Sequence, residues 1–154
     1  MKRDLCFERT YPHRPEHVWR ALADPRALAA WLMPNDFEPR VGHSFTFRTK
    51  PAPGFDGTIY CEVTDLDPPR RIGYTWRGGP GRGRPLTLDT HLSFTLEPVP
   101  GGTRLRLEHT GFLGARAVAV SFLLGSGWTK ILSERLPALL DRLDQPGDAA
   151  DAAD

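Results

Sequence analysis

A chain of 154 residues with a formal net charge of +1, 40% hydrophobic residues and two cysteines has the size of one domain with one core. The near-neutral balance excludes the basic field that holds a phosphate backbone, and Cys6 and Cys61, with no C-x-x-C pair, exclude a disulfide framework. No apolar run approaches the ~20 residues of a membrane span, and Lys2, Arg3 and Asp4 lead into no secretory signal, so a cytoplasmic protein without nucleic-acid or membrane partners is expected.

Leu5, Phe7 and Tyr11 alternate with Cys6, Glu8 and Thr10, which predicts a first strand over Leu5–Tyr11, its apolar face broken by Arg9. Pro15 at a first helical position, Glu16 beside it, and Val18, Trp19 and Leu22 on one face predict a helix over 15–22. Asp24-Pro25 repeats the start signal as cap and first position, and Leu28, Trp31 and Leu32 follow at helical spacing in a second helix that ends before Pro34. Neither helix can bury itself alone, so each must cover part of a sheet.

Five strand patterns come next, over Ser44–Thr49, Thr58–Leu66, Arg71–Trp76, Thr87–Glu97 and Thr103–Thr110. They are separated by a Pro/Gly loop at 51–57, the turn Asp67-Pro68-Pro69, a glycine-rich loop at 78–85 and a turn at 98–102. Short connections without intervening helices make an antiparallel meander. Leu88, Leu92, Phe94 and Leu96 oppose Asp89, His91, Ser93 and Glu97, so one face is covered and the other solvated. The cover is an amphipathic C-terminal helix, in which Trp128, Ile131, Leu132, Leu136, Leu139, Leu140 and Leu143 recur at three- and four-residue steps. Gly125, Gly127 and Pro137 disturb it, and Pro137, having no N–H for the Ser133 carbonyl, predicts a bend. The acidic residues 145–154 offer nothing to bury and are expected to be disordered, leaving one domain over 1–144.

This order resembles the helix-grip fold of the START-like (SRPBCC) superfamily, an α+β fold with a curved six-stranded antiparallel sheet, two short helices after the first strand and a long C-terminal helix over the sheet. Several words are similar to the family named for homology to the activator of the heat-shock protein 90 ATPase. They include Val18-Trp19-Arg20-Ala21-Leu22, Asp24-Pro25 with Leu28 and Trp31-Leu32, and Phe37-Glu38-Pro39-Arg40-Val41-Gly42 leading into Phe45-Thr46-Phe47. Later come Pro68-Pro69-Arg70-Arg71-Ile72 with Tyr74-Thr75-Trp76, the run Ser93-Phe94-Thr95-Leu96-Glu97-Pro98, then Gly101-Gly102-Thr103-Arg104-Leu105 with His109 and Gly111-Phe112, and Gly127-Trp128. His43 departs from the family pattern, which shows a second glycine there. The eukaryotic co-chaperone also carries an additional N-terminal domain that docks its chaperone, and this sequence is expected to begin directly at the first strand.

The resemblance implies hydrophobic ligand binding, co-chaperone activity with a place in the stress response, or polyketide cyclase-like chemistry, since similar folds do each. Homodimers through sheet edges or helices occur among such chains.

Three motifs invite chemistry and have plainer readings. His13-Arg14-Pro15-Glu16-His17 matches H-x-x-E-H, but Pro15 opens the helix and leaves His13 outside it, so no metal is expected. Asp89, His91 and Ser93 share one side of a strand, yet it is the solvated side, with neither an oxyanion hole nor a pocket. Gly78-Gly79-Pro80-Gly81-Arg82-Gly83 lacks the Gly-Lys-Ser/Thr ending of a phosphate loop and precedes a strand; Arg82 and Arg84 remain candidates for an acidic ligand at a cavity mouth.

The aromatic supply carries the functional expectation. Trp31, Phe45, Phe47, Tyr74, Trp76, Phe94, Phe112, Phe122 and Trp128 exceed what a thin sheet–helix layer needs, which points to an apolar cavity between sheet and C-terminal helix. His109 follows Leu105 and Leu107 on the covered face, as either a hydrogen-bonded core group or a ligand's orienting contact. The predicted cavity residues are Trp31, Phe45, Phe47, Tyr74, Trp76, Phe94, His109, Phe112 and Trp128, around a small aromatic or acyl molecule and without catalytic group, cofactor or metal. A co-chaperone or other protein-interaction role and a cyclase- or hydrolase-like enzyme are the alternatives. The first predicts an exposed apolar patch, the second an ionisable partner for His109.

Overall fold

A computed structural model describes residues 1–143; the predicted tail lies outside them. Six strands form one antiparallel sheet: β1 (Lys2–Tyr11), β2 (Ser44–Arg48), β3 (Thr58–Asp67), β4 (Arg71–Gly78), β5 (Leu88–Val99) and β6 (Gly102–Leu113). Their spatial order is β1-β6-β5-β4-β3-β2. Between β1 and β2 come α1 (Pro15–Ala23) and α2 (Pro25–Trp31), and after β6 a long helical segment comprises α3 (Ala115–Lys130), a π turn over Ile131–Arg135 and α4 (Leu136–Leu143). The helix-grip arrangement is therefore present, with β1 beginning three residues earlier than the alternation marks.

Local chemistry sets the helix starts. Asp24 Oδ1 accepts from the Arg26 N–H at 2.9 Å, capping α2 as its sequence predicts, with Pro25 at the first position. The edge strand β2 is shielded by the segment after α2: Thr46 N–H donates to Asp36 Oδ1 at 2.6 Å and Arg48 N–H to Pro34 O at 3.0 Å. Those bonds occupy main-chain groups that would otherwise be open to another strand. The Thr46 amide, with the Thr46 hydroxyl, also holds the Asp36 carboxyl below its ordinary pKa. The turn into β2 places Gly42 at φ +89°, so the left-handed conformation falls on the glycine that is present, and His43 stacks its ring parallel to Phe45.

The C-terminal helix is longer than its leucine stripe marks, and the disturbance expected at Gly125 and Gly127 needs correction. It starts at Ala115, well before Trp128, and runs through Gly125 and Gly127 unbroken. Gly125 lies against Leu5 and Phe7 of β1, where even a Cβ would meet their side chains at an ordinary 3.8–4.0 Å. The disturbance attributed to Pro137 takes the form of the π turn immediately before it: Leu136 N–H reaches Ile131 O, one residue farther back than in an α-helix. The Leu132 carbonyl, released from its usual partner, accepts the Tyr11 hydroxyl at 2.7 Å. On the same side of β1, Arg9 donates from Nε to Ser133 Oγ at 3.3 Å, which accounts for an arginine on an otherwise apolar face.

The core gathers on the concave face. Leu132, Leu136, Leu139, Leu140 and Leu143 are buried, as are Val18, Leu22 and Leu28 of the short helices. Cys61 is buried in β3 and Cys6 exposed in β1, both as free thiols. Trp128→Ala is expected to destabilise the fold by about 3–5 kcal/mol through an unfilled core volume. Tyr11→Phe, which removes one buried hydrogen bond, should cost about 1 kcal/mol. Urea unfolding of both variants against the parent checks the ranking.

Candidate functional site

The nine predicted cavity residues are all buried, and they form one continuous aromatic layer. Phe45 and Phe47 come from β2, Tyr74 and Trp76 from β4, Phe94 from β5, and His109 and Phe112 from β6; α2 and α3 supply Trp31 and Trp128. Ring centroids lie 5.0 Å apart for Phe45–Tyr74, 5.5 Å for Phe47–Trp76, 5.7 Å for Trp76–Trp128 and 4.7 Å for His109–Phe112. These are packed edge and tilted contacts. Phe122, also expected inside, is exposed on α3, its ring covered by the Arg3 guanidinium at 3.6 Å.

His109 is fixed by three hydrogen bonds in series. Trp128 Nε1–H donates to His109 Nδ1 at 3.1 Å, His109 Nε2 meets Thr90 Oγ1 at 2.8 Å, and Thr90 Oγ1–H donates to Trp76 O at 2.8 Å. Because the indole can only donate and the threonine proton goes to Trp76, His109 is the neutral Nε2–H tautomer. Burial lowers its pKa to about 3, and a second proton on Nδ1 would face the Trp128 N–H directly. Both ring nitrogens are thus occupied by core groups, and neither partner is ionisable in the ordinary range.

A cavity of about 270 Å³ lies at one end of this layer, between α3, the ends of β3–β5 and the loop at 51–57. Met33, Phe55, Ile59, Trp76, Leu88, Ala117, Val120 and Leu124 supply its apolar wall, and Thr49, Thr87 and Arg116 its polar side chains. Of the nine predicted residues, Trp76 lines it. The other eight, Trp31, Phe45, Phe47, Tyr74, Phe94, His109, Phe112 and Trp128, fill the interior, because ring-on-ring packing and the leucines of α4 occupy the space beside them. Counting aromatics could not locate the void, which is walled largely by aliphatic side chains and small residues. A usable signal was the spacing of Ala117, Val120, Leu124 and Trp128, which places one stripe of α3 on the sheet.

The other sequence motifs resolve separately. His13 and His17 stack with centroids 5.1 Å apart; His13 Nε2 lies 3.1 Å from Asp141 Oδ1 and His17 Nε2 3.2 Å from Leu140 O, tying α1 to α4. Among the described residues no group of three His, Cys, Asp or Glu side chains is placed to hold a metal. On β5, Asp89 pairs with Arg77 at 2.7 Å and His91 Nε2 meets Thr64 Oγ1 at 2.7 Å, while Ser93 is buried. Arg82 and Arg84 line a groove with Asp56, Tyr60, Glu62 and Arg77, and with Pro51 and Phe55 a further hollow that shares Phe55 with the apolar cavity; neither arginine lines the cavity itself. Among the described residues no helix is long and apolar enough to cross a membrane.

Comparison with known proteins places this architecture. The family model described as Activator of Hsp90 ATPase homolog 1-like protein matches residues 12–141. A crystal structure from Mesorhizobium loti is similar at 36% identity and TM-score 0.80, over 93% of this chain and 100% of that one. A solution structure from Bacillus halodurans is similar at 26% identity and TM-score 0.72, over 91% and 99%. A dimeric protein from Colwellia psychrerythraea shares the fold at 22% identity and TM-score 0.69, over 89% and 96%. Among curated proteins no match is found.

The His109 environment dictates a pH response. Its folded pKa, about 3, lies below the ordinary 6.5, so the unfolded chain takes up a proton that the folded chain refuses. Its contribution is fully present above about pH 6.5 and is lost as pH falls toward about 3. Urea unfolding should show this one group removing about 2 kcal/mol between about pH 7.5 and about pH 5. His109→Gln should flatten the profile by that amount.

Proposed function

This chain belongs to the Activator of Hsp90 ATPase homolog 1-like family, and we propose that it binds a small hydrophobic molecule, aromatic or acyl, in the cavity between α3 and the ends of β3–β5. The observation that carries this reading is the 270 Å³ void with a mainly apolar wall. That volume exceeds the roughly 150 Å³ that admits benzene and approaches the roughly 300 Å³ at which drug-sized pockets begin. Trp76 and Phe55 offer ring faces, Leu88, Val120 and Leu124 aliphatic area, and the loop at 51–57 forms part of the wall. Binding would follow from area removed from water, at about 25 cal/mol per Å² before ordering costs.

Hydrolase or cyclase chemistry in this cavity would need an acid or base beside the substrate. Its described wall offers Arg116 as the one charged side chain, and His109 is held neutral by Thr90 and Trp128. A protein-interaction role, co-chaperone contact included, has one observation in its favour. Leu113, Phe122 and Leu123 are 66%, 60% and 76% exposed at the end of β6 and on α3, an apolar display of the kind that marks docking surfaces.

Native mass spectrometry of freshly purified protein followed by solvent extraction, together with a titration of naphthol read by tryptophan fluorescence, tests the leading reading. Saturable binding is expected, weakened at least about tenfold by Val120→Phe, which fills the void while leaving the fold intact. Absence of any co-purifying molecule together with no response to naphthol would reject the cavity reading and favour the exposed face of α3.

A further inference from the structure

We infer that the molecule held in this cavity is a carboxylic acid, its apolar body against Trp76, Val120 and Leu124 and its carboxylate on the Arg116 guanidinium. The inference rests on the ligand-binding reading above and adds the chemical class.

Arg116 differs from the four arginines of β4 and β6 that are paired with acids. Arg71, Arg77, Arg104 and Arg106 meet Asp65, Asp89, Glu97 and Glu8 at 2.7–3.5 Å. Arg116 has no ion pair or hydrogen bond among the described residues, and the cavity wall contains no acidic side chain. A cation at the mouth of an apolar pocket selects against amines and gives a planar anion two parallel donors. The loop backbone also leaves room for it. Gly54 has φ +78°, and any Cβ there would collide with Arg116 Nη2, so the guanidinium lies directly over the loop at 51–57.

Further donors favour the same polarity. Of the buried tryptophans, Trp31 gives its indole N–H to Ala21 O and Trp128 to His109 Nδ1, whereas Trp76 has no acceptor among the described residues. The hydroxyls of Thr49 and Thr87 stand in the same wall. Arg116 sits in the first turn of α3, which carries no acidic residue to offset the positive end of the helix. An oxyanion therefore finds donors and no repelling charge, while the volume limits its body to one or two rings or a medium acyl chain.

The test titrates the full chain with naphthoate, the neutral naphthamide and the cationic naphthylmethylamine, then repeats the series on Arg116→Gln, Arg116→Lys and Gly54→Ala. Expected are about tenfold tighter binding of naphthoate than of naphthamide, no detectable binding of the amine, and a preference for the acid that weakens as salt is raised. Arg116→Gln should abolish the preference without weakening naphthamide, Arg116→Lys should keep part of it, and Gly54→Ala should reduce it by displacing the guanidinium. Equal binding of acid and amide to the parent, unchanged in Arg116→Gln, would overturn the carboxylate assignment while leaving the cavity reading standing. Failure of all three probes on the parent would overturn both. Should Arg116→Gln unfold by circular dichroism, the parent's ranking of the three probes still decides the question.

Discussion

The hydrogen-bonded series from Trp128 through His109 and Thr90 to the Trp76 carbonyl is the constraint around which this molecule is organised. It joins α3 to β6, β5 and β4 in one line. Each member has a single permitted role: the indole can only donate, the carbonyl only accept, and the histidine and threonine between them pass the polarity along. A helix rotated or shifted by one residue would strand a buried donor at one end and an acceptor at the other, at a cost of about 1–3 kcal/mol for each. Apolar packing alone tolerates many helix positions over a sheet; a polar series of this kind tolerates few.

With the middle of the helix pinned, its two ends diverge in character. Toward the C-terminus, the π turn and the Tyr11–Leu132 bond precede α4, where Leu136, Leu139, Leu140 and Leu143 meet the sheet and short helices as a filled core. Toward the N-terminus, α3 presents Ala117 and Val120 to a part of the sheet ending in Gly78 and Gly79. The small side chains of Ala117 and Val120 leave volume unfilled beside Trp76, Phe55 and Leu88. Arg116 and the loop at 51–57 stand at its margin.

Much of this architecture could be read in the sequence. The caps and prolines of α1 and α2, the period-two alternation of β5 and β6 and the leucine stripe before Leu143 each report a local physical preference, and each element exists. The start of the long helix was hidden because Ala115–Leu124 is apolar on other sides besides the stripe that faces the sheet, and because Gly125 and Gly127 resemble breakers. Aromatic residues proved a guide to the core and a poor guide to the void. A ring's chemistry says that it avoids water, and whether neighbours fill the space beside it depends on long-range register, such as Phe47 opposite Ile59 or Trp76 opposite Thr90. Arg116 carries no motif; its interest arises from the acids that are missing around it.

The division of the interior into a filled half and an open half bears on how such a protein changes over time. Substitutions at Ala117, Val120, Thr87 or Leu88 alter the shape and polarity of the open half without touching the leucines of α4 or the His109 series. Stability and recognition are thereby drawn largely from different residues, with Trp76 common to both. A scaffold built this way can drift from one small ligand to another through single replacements that leave folding nearly unaffected, and its descendants need share little more than the pinned helix.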